Sequence, residues 1–171
     1  MTVLGVDPGM ADTGWALVRG ASATAELAGS GLLKTSPREH LPLRLEKLHE
    51  GLRRILAEHK PDVMAVEEMF FLTAAHSVRS TLQARGVILL AASQSGVVVR
   101  EYNPKQVKIA ISGSGTADKL QMQKMVRSAL GLQDLLRPDD VADAAAIALC
   151  HLRCSRLKNF TVLDRLGGGP R

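Results

Sequence analysis

The spacing of apolar residues divides the start of the chain into short strands. Residues 2–7 form an apolar run that ends at Asp7, a Pro-Gly turn follows, and apolar character resumes over residues 14–18. This pattern predicts a hairpin-like pair of strands with Asp7 at its mouth. Residues 23–34 are a weaker candidate for a third strand, because glycines interrupt them.

Helices and strands alternate after this point. In residues 41–59, leucine and isoleucine recur at spacings of three and four, which predicts an amphipathic helix that ends before Pro61. The apolar run 62–67 closes on a second carboxylate, Glu67, and predicts a buried strand. The remaining segments predict a helix over 74–95 and a strand over 97–102. Three further helices follow: the first ends near residue 111, the second ends near residue 130, and the last begins near residue 138. This order predicts an α/β domain with a five-stranded mixed sheet flanked by helices.

The length of 171 residues favours one domain, and neither an internal repeat nor a linker divides the chain. We place the folded domain at residues 1–154. Residues 155–171 end in Gly-Gly-Gly-Pro-Arg and are expected to form a disordered tail.

Composition and charge narrow the function classes. Apolar residues make up 46% of the chain, the formal net charge is +5, and no segment approaches the ~20 unbroken apolar residues of a membrane span. A basic protein favours a polyanionic partner such as nucleic acid, although a solvated basic surface without a partner fits the charge equally well. Cys150 and Cys154 lack the spacing of a zinc site and are expected to be reduced thiols. We therefore expect a cytoplasmic protein with no membrane contact.

Four acidic residues are candidates for catalysis. Asp7 and Glu67 close two predicted strands, and ligands gather at the carboxyl ends of strands in open α/β sheets. Asp140 and Asp143 are three residues apart, which places both on one face of the last helix. If that helix packs near Asp7, the four carboxylates converge. Taken singly, the helix pair also fits a role at the helix N-terminus, and Asp7 fits a simple turn residue.

Converging carboxylates indicate a particular chemistry. Like charges at close range raise one another's pKa values, and a hard divalent cation relieves this repulsion. Magnesium prefers carboxylate oxygens together with waters and phosphates. Two such ions can hold the attacking and leaving oxygens of a phosphodiester displacement with water as the nucleophile.

A series of short motifs runs along nearly the whole chain. In chain order, these are residues 5–9 (GVDPG) with 13–14 (TG), 65–68 (AVEE) followed by Phe70, 83–86 (QARG), Tyr102, 106–108 (QVK), 115–119 (GTADK), and 140–144 (DVADA) followed by 146–148 (AIA). From about residue 3 to His151, this series closely resembles, in content and in order, the RuvC family of Holliday junction resolvases. The first motif alone is weak, whereas the ordered set is highly specific.

The resemblance implies an RNase H-like fold and a homodimer whose subunits nick opposite strands of four-way junction DNA. It implies that Asp7, Glu67, Asp140 and Asp143 hold the metal. The chemistry of these carboxylates predicts two Mg²⁺ ions per site, and Mn²⁺ fits the same oxygen ligands as a substitute. Some relatives carry histidine at the position of Asp140, so the set here is entirely carboxylate. A branch-migration motor is the partner that the resemblance implies.

The resemblance also assigns DNA-contacting residues. Lys108 and Lys119 match basic residues important for cleavage, and Lys119 is expected close to the scissile phosphate. Phe70 matches an aromatic near the junction centre, where it would stack on an exposed base. The helix over 74–95 would form the dimer interface, with Arg79 and Arg85 near the DNA or that interface.

Three alternatives compete with this interpretation. An actin-like ATPase or sugar kinase needs a second lobe, for which 171 residues leave no room, and the sequence has no P-loop signature. An RNase H-like nuclease acting on structured RNA shares the carboxylates but is disfavoured by the complete motif series. A non-catalytic junction-binding protein is disfavoured because all four acids are present.

Overall fold

A five-stranded mixed sheet forms the centre of the chain. The computed structural model describes residues 1–21, 24–68 and 76–158. Its strands are β1 (Thr2–Asp7), β2 (Asp12–Ala21), β3 (Thr24–Lys34), β4 (Val63–Glu67) and β5 (Val98–Tyr102). They are ordered β3-β2-β1-β4-β5. The first three are antiparallel, while β4 and β5 run parallel to β1. The predicted sheet is therefore confirmed, including its third strand.

Helices cover both faces of this sheet. They are α1 (Leu41–His59), α2 (His76–Gln94), α3 (Pro104–Ser112), α4 (Lys119–Ala129) and α5 (Asp139–Lys158). Side chains alternate between the two faces along a strand, so Leu4 and Val6 join a core with α1 and α2, whereas Val3 joins a core with α3, α4 and α5. No helix of the described chain combines the length and apolar character that crossing a bilayer requires.

Helix α5 lies unusually close to the centre of the sheet. A methyl group added at Gly5 would overlap the carbonyl oxygen of Ala144 and lie 2.9 Å from the backbone nitrogen of Ala148. A methyl group added at Gly14 would overlap the carbonyl oxygen of Asp140. Glycine on β1 and β2 and alanine on α5 thus allow backbone to approach backbone.

The end of the domain lies beyond the predicted boundary at residue 154. Helix α5 continues to Lys158, and the Ser155 hydroxyl donates to the Leu152 carbonyl oxygen at 3.3 Å within it. The predicted tail therefore begins no earlier than residue 159, and residues 159–171 lie outside the described part. Cys150 and Cys154 are free thiols one helical turn apart, with their sulfur atoms 3.9 Å from each other.

The close approach of α5 predicts that Gly5→Ala is strongly destabilising. The added methyl group meets backbone atoms of Ala144 and Ala148 rather than a flexible side chain, so the helix must move. We expect a loss of about 3 kcal/mol or more in the free energy of unfolding. For a chain of this length this lowers the melting temperature by roughly 6–12 °C. Thermal unfolding followed by circular dichroism measures the change.

Gly29→Ala is the matched control for this substitution. Gly29 lies on β3 of the same sheet, and an added methyl group would make ordinary contact with the Trp15 ring at 3.6 Å. We expect little change in its melting temperature. Equal melting temperatures for the Gly5 and Gly29 variants would contradict the proposed role of the close approach.

Candidate active site

Two carboxylates end neighbouring strands at the centre of the sheet. Asp7 closes β1 and Glu67 closes β4, and these strands run parallel with Val6 paired to Val66. The carboxyl ends of adjacent parallel strands meet at one edge. The sheet alone therefore places Asp7 beside Glu67, as the sequence pattern predicted.

Helix α5 brings the second pair of carboxylates to the same edge. Asp7 pairs with Gly14 in the antiparallel ladder of β1 and β2. A methyl group added at Gly14 would lie 2.9 Å from the Cβ atom of Asp140, so the first turn of α5 rests directly on this pair. Asp143 follows three residues later on the same helical face. The last helix therefore packs near Asp7, which is the arrangement that the convergence of the four carboxylates requires.

An open cavity of about 280 Å³ lies where these elements meet. It is lined by Asp7, Glu67, Pro104, Val107, Lys108, Lys119, Met122, Asp143, Ala146 and Ile147. The lining contains three of the four predicted metal ligands and both predicted lysines. Asp140 lies beside this lining, close enough for its charge to raise the pKa of Asp7.

The carboxylates are held in an electrostatically unfavourable arrangement. Burial, together with the negative charges of Asp143, Glu67 and Asp140, raises the pKa of Asp7 to about 7. Burial is also the largest cause of the raised pKa values of Glu67 and Asp143. Carboxylates that lose solvation and lie close to one another in this way are stabilised by a positive charge nearby.

Two lysines supply part of that positive charge. The Lys119 ammonium lies 3.1 Å from Asp139 Oδ2 and 3.8 Å from Asp143 Oδ2. Lys108 also lines the cavity and acts to lower the pKa of Glu67. Both lysines therefore lie in the same cavity as the carboxylates.

The donor set fits a hard divalent cation. Within the described ranges, no three His, Cys, Asp or Glu side chains already stand close enough together to hold one metal ion. Mutual repulsion favours this spread. The available donors are carboxylate oxygens only, which magnesium and manganese prefer over soft ligands. Burial and mutual repulsion raise the pKa values of Asp7, Glu67 and Asp143, and a bound cation would oppose both effects.

The other residues predicted to contact DNA differ in their surroundings. Arg79 lies on the exposed surface of α2. The Arg85 side chain is only 15% exposed, and its guanidinium lies 2.8 Å from a carboxylate oxygen of Glu101. This ion pair joins α2 to β5, which favours a structural role for Arg85 over a contact with DNA. Phe70 lies outside the described residues.

Sequence reasoning missed one residue of this site, Asp139. It precedes Asp140 and receives hydrogen bonds from Gln123 and Arg137, both at 2.8 Å, in addition to its ion pair with Lys119. The only signal in the sequence was the double aspartate at the start of the last helix. That signal did not distinguish Asp139 from its neighbour.

Comparisons with known proteins agree on one family. The family model described as crossover junction endodeoxyribonuclease RuvC matches residues 3–151. The crossover junction endodeoxyribonuclease RuvC of Syntrophomonas wolfei is 46% identical over 160 residues, covering 94% of this chain and 93% of that protein. Its counterpart in Chloroflexus aurantiacus is 48% identical over 151 residues, covering 88% of this chain and 92% of that protein.

Solved structures extend the similarity to three dimensions. The structure of Thermus thermophilus RuvC in complex with a Holliday junction substrate superposes with a TM-score of 0.88 at 38% identity, covering 92% of this chain and 96% of that one. The yeast mitochondrial Holliday junction resolvase Ydc2 superposes with a TM-score of 0.65 at 14% identity, covering 92% of this chain and 82% of that one. At this low identity, the second comparison concerns the fold alone.

The raised pKa of Asp7 predicts that Asp7→Asn stabilises the metal-free protein. The folded state binds the Asp7 proton more tightly than the unfolded chain, because its pKa rises from 3.8 to about 7 on folding. Ionisation of Asp7 therefore lowers the free energy of unfolding as the pH rises from about 4 to 7. The relieved free energy is about 2–4 kcal/mol, and each kcal/mol raises the melting temperature by roughly 2–4 °C. Thermal unfolding in chelating buffer measures it.

The difference between variant and wild type should be large at pH 7.5 and shrink toward pH 4. Asp12→Asn is the control, since Asp12 is a half-exposed carboxylate 4.0 Å from Lys34 at the start of β2. We expect its melting temperature to stay close to that of the wild type. An Asp7→Asn melting temperature equal to that of wild type at both pH values would show that the cluster is not under electrostatic tension.

Proposed function

The chain belongs to the RuvC family of crossover junction endodeoxyribonucleases, which are metal-dependent nucleases, and on that premise we propose that it resolves Holliday junctions by paired symmetric nicks. The observation that supports this most strongly is the cavity in which Asp7, Glu67 and Asp143 converge beside Lys108 and Lys119. Acidic groups that can hold a cation and basic groups that can contact a phosphate are both needed for phosphodiester hydrolysis. The site of this chain has both.

We propose Mg²⁺ as the cofactor, with two ions per site held by Asp7, Glu67, Asp140 and Asp143, and Mn²⁺ as a possible substitute. When bound, such ions supply activation of a water and neutralisation of the charge on the phosphate. The support is the all-oxygen donor set and the raised pKa values of Asp7, Glu67 and Asp143.

The lysines act on the substrate side of the same cavity. The Lys119 ammonium, which is half-exposed, is proposed to contact the scissile phosphate and to offset the negative charge that develops there. Lys108, which also lines the cavity, is proposed to hold a neighbouring part of the DNA backbone. These roles need no covalent bond between protein and DNA.

We propose that two copies of the chain act together through α2. Leu82 and Leu90 are 41% and 51% exposed, and Gly86 lies between them with open space where a side chain would be. Positions four residues apart share one helical face, so these residues form an exposed apolar stripe that a second copy can cover. Two-fold symmetry suits the paired nicks that resolve a four-way junction.

The wider setting is also a proposal. Two free cysteines in the described chain are consistent with the cytoplasm, where thiols stay reduced. A branch-migration motor is the expected partner, and family membership is its only support. Base stacking by Phe70 and contacts from Arg79 belong to the same proposal for junction binding.

The experiment that tests the function is cleavage of strand-labelled synthetic four-way junctions and of linear duplex, with magnesium, with manganese and with a chelator. We expect paired symmetric nicks on the junction alone, lost with the chelator. Tight junction binding without nicks under every metal would favour a non-catalytic junction-binding protein. Absence of any junction preference would favour a nuclease acting on structured RNA.

Asp7→Asn is expected to abolish junction cleavage while sparing or strengthening junction binding. The substitution removes one metal ligand and one negative charge facing the DNA, so the loss concerns chemistry and not affinity. Gel retardation in chelating buffer measures binding, and cleavage in magnesium measures chemistry. Magnesium should raise the melting temperature of the wild type but not of the variant. Loss of junction binding together with cleavage would identify Asp7 as structural.

The proposed dimer predicts that Leu82→Asp combined with Leu90→Asp yields monomers. Two buried carboxylates without partners would oppose association strongly. Analytical ultracentrifugation measures the mass, and the junction assay should show loss of paired nicking. The control is Leu43→Asp, because Leu43 on α1 is 43% exposed and so resembles Leu82 and Leu90 in exposure. This variant should stay dimeric. A double variant that sediments like the wild type would rule out this face of α2.

A further inference from the structure

Lys119 is held between two carboxylates that belong to the same helix. Its ammonium nitrogen lies 3.1 Å from Asp139 Oδ2 and 3.8 Å from Asp143 Oδ2. Asp143 lines the cavity, whereas Asp139 is not among its lining residues. The shorter of the two ion pairs therefore links Lys119 to a residue that the proposed metal site does not use.

The Asp139 carboxylate is fixed on its other side. Its Oδ1 atom accepts hydrogen bonds from Gln123 Nε2 and Arg137 Nη1, both at 2.8 Å. The Gln123 side chain is buried, with 5% of the residue exposed, so it offers a rigid donor. Charge-assisted hydrogen bonds of this length are among the strong ones. Both oxygens of Asp139 are thereby taken by α4 and by the segment that precedes α5.

The backbone at Lys119 is fixed as well. Lys119 is the first residue of α4, and the Asp118 side chain caps this helix by accepting from the Gln121 backbone nitrogen at 2.8 Å. With backbone and ammonium both held, the flexible stem between them has few conformations left. An isolated surface ion pair would not achieve this.

From this geometry we propose that Asp139 is a positioning residue, which holds the Lys119 ammonium at the cavity so that one of its donors faces a phosphate of the DNA. An ammonium group has three N–H donors. Asp139 Oδ2 lies 3.1 Å from the Lys119 nitrogen, whereas the 3.8 Å separation from Asp143 Oδ2 is that of an ion pair and not of a hydrogen bond, which leaves N–H donors for a phosphate of the DNA. This inference rests on the proposed junction cleavage, since it names a residue that acts through Lys119.

The contacts of Asp139 separate it from the metal ligands beside it. Its oxygens already accept from Gln123 and Arg137 and pair with Lys119, so coordination of a cation would have to break these contacts. Asp139 is therefore expected to affect the rate of cleavage and not the binding of the metal.

Asp139→Asn tests the proposal with Asp134→Asn as its matched control. Asparagine keeps the shape and can still accept from Gln123, but it removes the charge that holds Lys119. Asp134 is an exposed aspartate in the segment before α5, and its substitution makes the same change in net charge. The measurement is the single-turnover rate of junction cleavage at saturating enzyme, together with the dissociation constant of the junction in chelating buffer.

We expect Asp139→Asn to cut about 10-fold more slowly, within the range by which a misplaced group slows a reaction. Its dissociation constant should stay within about twofold of that of Asp134→Asn, which should cut at the wild-type rate. Equal cleavage rates for the two variants would overturn the positioning role. A wild type that cuts no junction would instead overturn the proposed function itself.

A second readout is independent of cleavage. In metal-free protein labelled with ¹⁵N, the ammonium of a held lysine exchanges its protons slowly and gives a resolved signal, which Lys119→Arg would assign by its disappearance. We expect this signal in the wild type and in Asp134→Asn, and its loss in Asp139→Asn. A Lys119 signal that persists unchanged in Asp139→Asn would show that Asp139 does not hold the lysine.

Discussion

The contact between α5 and the middle of the sheet determines the rest of the site. Gly5 and Gly14 leave no side chain between the strands and the helix, and the facing helix positions include Ala144 and Ala148. Backbone therefore packs on backbone, and the first turn of α5 comes to rest on the pair formed by Asp7 and Gly14. A larger residue at either glycine would lift the helix away from Asp7 and separate the carboxylates.

This packing has an electrostatic consequence. It buries Asp7 among Asp143, Glu67 and Asp140, and the pKa of Asp7 rises to about 7 as a result. The site is thus less stable than a neutral core would be, and the aliphatic packing on both faces of the sheet holds it together. Stored repulsion of this kind is typical of functional sites. A divalent cation would offset this repulsion, so the repulsion favours cation binding.

The strands and the carboxylates at their ends could be predicted from the sequence, because both follow from local patterns. Asp7 and Glu67 end apolar runs, so their meeting at one edge follows from the parallel pairing of β1 and β4. The role of Asp139 could not be read from sequence, because its partner Gln123 lies 16 residues away on another helix. The burial of Arg85 against Glu101 is likewise a tertiary contact. The last helix was predicted to end too early, because the glycines and the proline of the tail indicate disorder more strongly than residues 155–158 indicate a helix.

We propose that α5 and the sheet together form the cation site from four carboxylates. The most direct measurement is a crystal structure of the protein soaked in Mn²⁺, with anomalous difference density locating the ions. We expect anomalous peaks bounded by Asp7, Glu67 and the two aspartates, Asp140 and Asp143, with Lys119 beside them. Peaks only at other carboxylates, or none at this edge of the sheet at a saturating Mn²⁺ concentration, would contradict it.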